Sequence, residues 1–169
     1  MLADESAGRL TIGDQAITVT NAITVDQANL LTATTSGVVT ATIATTETVT
    51  ELATLVEHGS NNVDAALTIV IRAGDATACT AAQLNTINDA TSVAVDLTNV
   101  TALAASSLAD LGTLASAINA GEFSDATGLT TIAVSDTTID ATTLATRIDS
   151  YDSINGGATT DMTLSLIHI

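Results

Sequence analysis

Proline and tryptophan are absent, and the chain has one cysteine, one phenylalanine, one tyrosine and two histidines. Cys79 alone excludes a disulfide framework. With His58 and His168 as the only imidazoles, a metal site built on thiolates and imidazoles is excluded as well. Positive charge is equally scarce. Arg9, Arg72 and Arg147 face nineteen acids over 169 residues, for a formal net charge of −16. Nucleic-acid binding needs cations that displace counterions from phosphates, so no nucleic-acid partner is expected. The same shortage excludes an anionic membrane surface. Long hydrophobic runs are missing too. The longest, Ala65 to Ile71, is interrupted by Thr68 and falls far short of the roughly 18 residues a membrane span needs. The opening Met-Leu-Ala-Asp-Glu-Ser carries acids where a signal peptide needs bases and an apolar core. Either the protein stays inside the cell or Met1 is not the true start, and the second is expected here.

What fills the chain is alanine and threonine, 30 and 33 residues respectively. Val, Ile and Leu recur among them in short clusters, bringing apolar residues to 46%. A disordered acidic tail would lack those clusters, so a folded chain is expected. Three segments share one pattern, a β-rich tetrapeptide followed by a polar link and a capping residue with Leu four positions on. They are Ile17-Thr-Val-Thr with Asp26 and Leu30, Ile69-Val-Ile-Arg with Thr80 and Leu84, and Ile132-Ala-Val-Ser with Asp140 and Leu144. Two segments of a second kind alternate with these. Val38 to Ile43 leads to Thr48-x-x-Glu51-Leu52, and Val95 to Val100 leads to Ser107-x-x-Asp110-Leu111. The unit is about 57 residues, split into two strand-plus-helix halves.

The residue types explain the halves. Val, Ile and Thr suit extended backbone, and Asp, Thr or Ser can accept from the free amides of a first helical turn. Thr48 with Glu51 fits a reciprocal capping box, with Ser107 and Asp110 a weaker relative. Leu52 with Leu55, and Leu108, Leu111, Leu114 with Ile118, follow at helical spacing, while Gly59 and Gly121 close the helices. Strand-then-helix units this short leave room for little but parallel strands joined by crossovers. The pattern predicts an α/β repeat solenoid with a parallel β-sheet on one face and short helices on the other, in the manner of leucine-rich repeats. A compact doubly wound α/β domain is the alternative, since alternation by itself separates the two poorly. Residues 1–13 read as a leader or the end of a preceding repeat, and 14–163 as tandem units making about five halves.

Several groups of residues are candidate sites. Asp136, Asp140, Asp149, Asp152 and Asp161 crowd the last unit, with Asp14, Asp26, Asp75, Asp89, Asp96 and Asp110 earlier. Calcium wants several converging oxygens, but no EF-hand order or glycine-rich nonapeptide appears, so turns and helix caps are expected. Thr18-Val-Thr20, Thr32-Ala-Thr34, Thr40-Ala-Thr42 and Thr48-Val-Thr50 would order ice-like water only as a flat grid. Two of these triplets fall in expected helix or loop. His58 reads as a helix-end residue, Cys79 as a small core filler and Gly156-Gly157 as a turn. Phe123 and Tyr151 are too few for a sugar platform. No catalytic, cofactor-binding or metal-ligating residue is therefore assigned, and no cofactor is expected, calcium being the one alternative.

Ile132-Ala-Val-Ser-Asp-Thr-Thr-Ile-Asp-Ala-Thr-Thr-Leu-Ala-Thr-Arg-Ile-Asp149 resembles the Thr/Ala/Asp-rich tandem repeats of very large surface or secreted proteins of marine bacteria and cyanobacteria. Val95-Asp-Leu-Thr-Asn-Val-Thr-Ala-Leu103 is similar to their companion half, although it lacks the usual Thr-Gly after the Leu. The resemblance covers most of residues 14 to 163 and is compositional as much as motif-based. It implies a non-catalytic, extracellular or cell-surface spacer of adhesin-like type, whose partners are its own neighbouring repeats. A binding module using the sheet face, for ice, polysaccharide or calcium, stays open. Strong acidity suits a saline exterior, where charge keeps a long array soluble. Leu164-Ser-Leu-Ile-His-Ile169 reads as the translation of a widely used transposase-type sequencing adapter, so residues 164–169 are expected to be foreign to the protein.

Overall fold

A computed structural model describes residues 13–56 and 65–164. The chain is mixed α/β, with parallel strands and short helices. In order come β1 (Ile17–Thr18), α1 (Val25–Thr34), β2 (Val39–Thr42), α2 (Val49–Leu52), β3 (Ala66–Thr68), α3 (Ala81–Asp89), β4 (Val95–Asp96) and β5 (Ala102–Ser106). They continue with α4 (Leu108–Ala120), β6 (Phe123–Ser124), β7 (Thr131–Val134), α5 (Ala141–Ile154) and β8 (Asp161–Leu164).

Every pairing among these strands is parallel, and each strand pairs with one from the next stretch of chain. One sheet has the order β1-β2-β3, a second β4-β6 and a third β5-β7-β8. A bridge between Val70 and Asp96 links the first sheet to the second. Register runs Thr40 to Ala66, Ala41 to Leu67 and Thr42 to Thr68. Further along, Ile132 lies opposite Leu103 on one side and Met162 on the other. Side chains alternate across the strands: Val39 and Ala41 are buried while Thr40 and Thr42 face out. The helices cover the buried face, α3 packing on α4 and α4 on α5. Leu84, Ile87, Leu111, Leu114, Leu97, Leu129 and Ile132 are fully enclosed there, each worth roughly 1.5–3 kcal/mol of burial. With so few aromatics, small aliphatics fill a thin interlayer.

The helices begin where oxygen-bearing caps stand. Thr48, Thr80, Ser107 and Asp140 are N-caps, as their positions in the sequence suggest. The first helix differs. Its cap is Thr24, which forms a full capping box with Gln27, so Asp26 lies inside the first turn. The Leu counted from Asp26 is accordingly out of phase: Leu30 is 51% exposed, and Val25, Ala28, Leu31 and Thr32 are the buried residues. The strand expected at Ile69–Arg72 also shifts, to Ala66–Thr68, with Val70 in an isolated bridge. A continuous apolar run hides the phase of alternation, which the structure sets by turning Ala65, Leu67, Ile69 and Ile71 inward. The second helix stops at Leu52 and places Leu55 beyond its end, though still buried. His58 and Gly59, expected to close that helix, lie outside the described residues. Gly121 does end α4: at φ 83° it turns the backbone left-handed, and the Glu122 amide returns to the Ala117 carbonyl.

Candidate functional site

The most regular chemical feature joins successive turns of the chain. The first helical residue of each of four helices is apolar and nearly buried: Val25, Val49, Ala81 and Leu108. Its amide is one of the donors a helix leaves without an internal partner. In each case a side-chain oxygen from the following turn accepts it. Val25 N–H donates to Glu47 at 3.3 Å. Val49 donates to Asp75 at 2.7 Å, Ala81 to the Ser106 hydroxyl at 2.9 Å and Leu108 to Asp136 at 2.6 Å. The acceptors lie 22 to 28 residues downstream. Two of them, Glu47 and Ser106, immediately precede the next cap, while Asp75 and Asp136 stand four or five residues before it. Thr48 and Ser107 thus have an acceptor directly before them, while Thr80 and Asp140 have one further back.

Asp75 has a second duty. It is buried, and its carboxylate receives Nε and Nη2 of Arg72, while Arg72 Nη1 reaches the Thr46 carbonyl. Asp75 and Arg72 together thereby tie the chain after β3 to the start of α2. Asparagines add further ties: Asn29 bonds the Thr54 carbonyl and the Val56 amide, and Asn99 bonds the Ile71 carbonyl. Tyr151, fully buried, donates to the Leu111 carbonyl. Burial pushes its phenol well above the ordinary tyrosine range. Arg147 lies across Gly112 and donates to the Leu108 carbonyl.

The acids considered for calcium are thus placed individually. Asp136 accepts from Leu108, and Asp140 caps α5 through the Thr143 amide. Asp110 accepts from the Ser107 hydroxyl, Asp96 forms a turn with Thr98, and Asp152 accepts from the Thr160 amide. Asp26, Asp89, Asp149 and Asp161 are exposed, and Asp14 accepts from the neighbouring Gln15 side chain. Among the described residues no group of three or more His, Cys, Asp or Glu side chains converges as a metal would require. The Thr48 amide, followed by its hydroxyl, holds the Glu51 carboxyl below the ordinary range, and the Thr143 amide does the same for Asp140.

Of the threonine triplets, one lies within a strand (β2), one starts in β1 and runs past its end, and two are on helices. Thr18 and Thr20, like Thr40 and Thr42, are exposed beside the sheet, with Thr18 opposite Thr40 and Thr42 opposite Thr68. Thr32 and Thr34 belong to α1, and Thr48 and Thr50 to the cap and first turn of α2. Cys79 is fully buried, its Sγ–H directed at the Asp75 carbonyl, and burial raises its thiol to about 11. That places it with inert core cysteines. Phe123 is buried too. Gly156 and Gly157 take left-handed φ values in the turn after α5. His168 lies outside the described residues, as do residues 165–169 generally; Leu164 ends β8 opposite Val134.

A shallow cleft of about 560 Å³ opens between the ends of α3 and α4, with Asn88, Asp89, Ser92, Gly121 and Glu122 in its wall. Asn88 spans it to bond Glu122. The inter-turn amide acceptors were invisible in the sequence, because a residue two dozen positions away carries no local spacing signal. No helix is long and apolar enough to cross a membrane among the described residues. No family model matches the chain, and neither a curated protein nor a solved structure matches it.

Proposed function

We propose that the chain is a stretch of a non-catalytic α/β solenoid, a structural spacer in a large extracellular or cell-surface protein of adhesin-like type. The observation that carries this reading is the sequential hand-over of helix amides: each turn satisfies the first amide of the turn before it. Strand order supports it as well. A doubly wound sheet reverses its order at a switch point, whereas β1-β2-β3 and β5-β7-β8 each run in one direction. Polar side chains are spent on caps and inter-turn ties, which is what a scaffold needs and a catalyst does not. A net charge of −16 keeps such an array soluble in saline surroundings.

The alternative is a binding module that uses the outward sheet face, and the exposed set Thr18, Thr40, Thr42 and Thr68 favours it. Thermal melting with and without millimolar calcium separates the ion-dependent form. The spacer reading expects no change, while a large rise in melting temperature would establish ion-linked folding. Thermal hysteresis of the purified chain at high concentration would establish ice binding; the spacer reading expects none. Sequencing the source locus adds an independent check, with further copies of the 57-residue unit expected on the same reading frame.

A further inference from the structure

We propose that Asn155 is a self-modification site: when the turn after α5 opens, the Gly156 nitrogen displaces its side-chain amide as ammonia, and the acid that results cannot rebuild the turn. This inference goes beyond the spacer reading and does not depend on it. Of the nine asparagines in the chain, Asn155 alone precedes a glycine. Any other following side chain crowds the main-chain nitrogen, whereas glycine has no Cβ to hinder its approach. The reaction is a hydrolysis through a cyclic imide. The Gly156 nitrogen attacks Asn155 Cγ, the bond from Cγ to Nδ2 breaks, and Nδ2 leaves as ammonia with the proton of the Gly156 N–H. Solvent water then opens the imide at either carbonyl, leaving an aspartate or its β-linked isomer. Overall one water is consumed and one ammonia released, with no oxidant or reductant.

In the folded chain the reacting atoms are held apart. Asn155 ends α5 at φ −79° and ψ 15°, which turns the Gly156 nitrogen away from the side chain. The Gly156 N–H donates to the Ser153 carbonyl at 3.1 Å. Asn155 Nδ2 donates to the Leu129 carbonyl and, at 2.7 Å, to the Thr160 hydroxyl. Asp152 closes the same turn: its carboxylate accepts the Thr160 amide at 2.7 Å, and its carbonyl accepts the Gly157 amide. Reaction therefore waits for local opening. Its product then differs where the fold is least tolerant. Asn155 Oδ1 is enclosed with no hydrogen-bond partner among the described residues. A carboxylate there keeps an unpartnered oxygen, now charged, and sets its other oxygen against the Leu129 carbonyl. The Asp152 carboxylate, bonded to the same Thr160, adds a like charge. The β-linked isomer also lengthens the main chain by one carbon, so the Gly156 and Gly157 amides lose register with Ser153 and Asp152. The opening is consequently not reversed, and the end of α5 is released from the chain before β7.

The test holds the full chain at alkaline pH, in native buffer and in concentrated urea, and follows its peptides by mass spectrometry with separation of the β-linked form. In urea Asn155 is expected to convert before every other asparagine, and about tenfold or more faster than in native buffer. Equal rates in the two solvents, or earlier conversion of another asparagine in urea, would overturn the proposal. Asp152→Ala removes the acceptor of the Thr160 amide. It should speed conversion in native buffer by about fivefold, the effect of one lost hydrogen bond on the opening equilibrium, and leave the rate in urea unchanged. Exchange at the Leu111 amide, in the middle of the helix layer, should stay as slow as in the parent. An unchanged native rate in Asp152→Ala overturns the gate, and so does a rate that rises only together with Leu111 exchange. Converted parent chain, separated from unconverted chain, should melt at a lower temperature and exchange its Thr160 and Asp161 amides faster; Asn155→Asp should behave in the same way. Unaltered melting and exchange in the converted chain would overturn the claim that the product cannot rebuild the turn, whether or not Asn155→Asp folds.

Discussion

Replacing Asp75 by alanine removes the acceptor at the most heavily used inter-turn joint. The carboxylate is buried, takes the Val49 amide at 2.7 Å and pairs with Arg72 at 2.9 Å. Hydrogen bonds to a charged acceptor contribute roughly 1.5–3 kcal/mol, and a buried donor left alone adds its desolvation cost. The Arg72 side chain is about one-third exposed, so its lost pair adds little beyond what solvent returns. The expected loss is therefore about 3 kcal/mol, carried mainly by the Val49 amide. For a chain of this size that lowers the melting temperature by about 6–12 °C. Urea unfolding monitored by circular dichroism measures the free energy, and exchange at the Val49 amide locates it. Glu47→Ala is the internal comparison. Its bond to Val25 is longer, at 3.3 Å, and the residue is half-exposed, so about 1 kcal/mol or less is expected. Equal effects of the two changes, or a loss under about 0.5 kcal/mol for Asp75→Ala, would refute the reasoning.

Other consequences follow from particular contacts. Gly37→Ala would set a Cβ 2.5 Å from the Asp14 and Gln15 backbone, so a loss of about 2–3 kcal/mol is expected in urea titration. Gly112→Ala meets only the movable Arg147 side chain; the clash and the gain in helix propensity should nearly cancel, leaving stability within about 1 kcal/mol of the parent. Cys79, buried with its thiol raised to about 11, should label with a thiol reagent at pH 8 only as fast as the protein opens, and immediate stoichiometric labelling would contradict its placement. Glu51 and Asp140 ionise more readily in the folded chain than in the unfolded one. Their share of stability is therefore present above the ordinary carboxylate range, near pH 4, and is lost as pH falls through the lower folded values. Carbon-detected titration by NMR should find both midpoints below the ordinary values, and midpoints at or above them would refute the capping geometry.

Much of this architecture could be read from local chemistry. Thr48, Thr80, Ser107 and Asp140 announce helix starts because cap, apolar residue and Leu stand at fixed short distances. The same rule misplaced the first helix, where Asp26 and Leu30 mimic the spacing. Thr24 with Gln27 was the better signal, a capping box overlooked at that one site. Strand β5 went unread because Ala102-Leu-Ala-Ala-Ser106 has little β propensity, and pairing with β7 creates it. Acceptors such as Asp75 and Asp136 were assigned to turns and caps. Their true duty crosses to the preceding helix and depends on tertiary stacking.

The central claim is that consecutive turns lie side by side as parallel ladders, in the order of the chain. Scalar couplings transmitted across hydrogen bonds, measured by NMR on the labelled chain, read each donor and its acceptor directly. The account predicts Val19 to Thr40, Ile43 to Thr68, Asp96 to Ile69, Leu97 to Ser124 and Ser135 to Ser106. Reciprocal antiparallel pairs, or couplings that skip from one turn to a distant one, would contradict it.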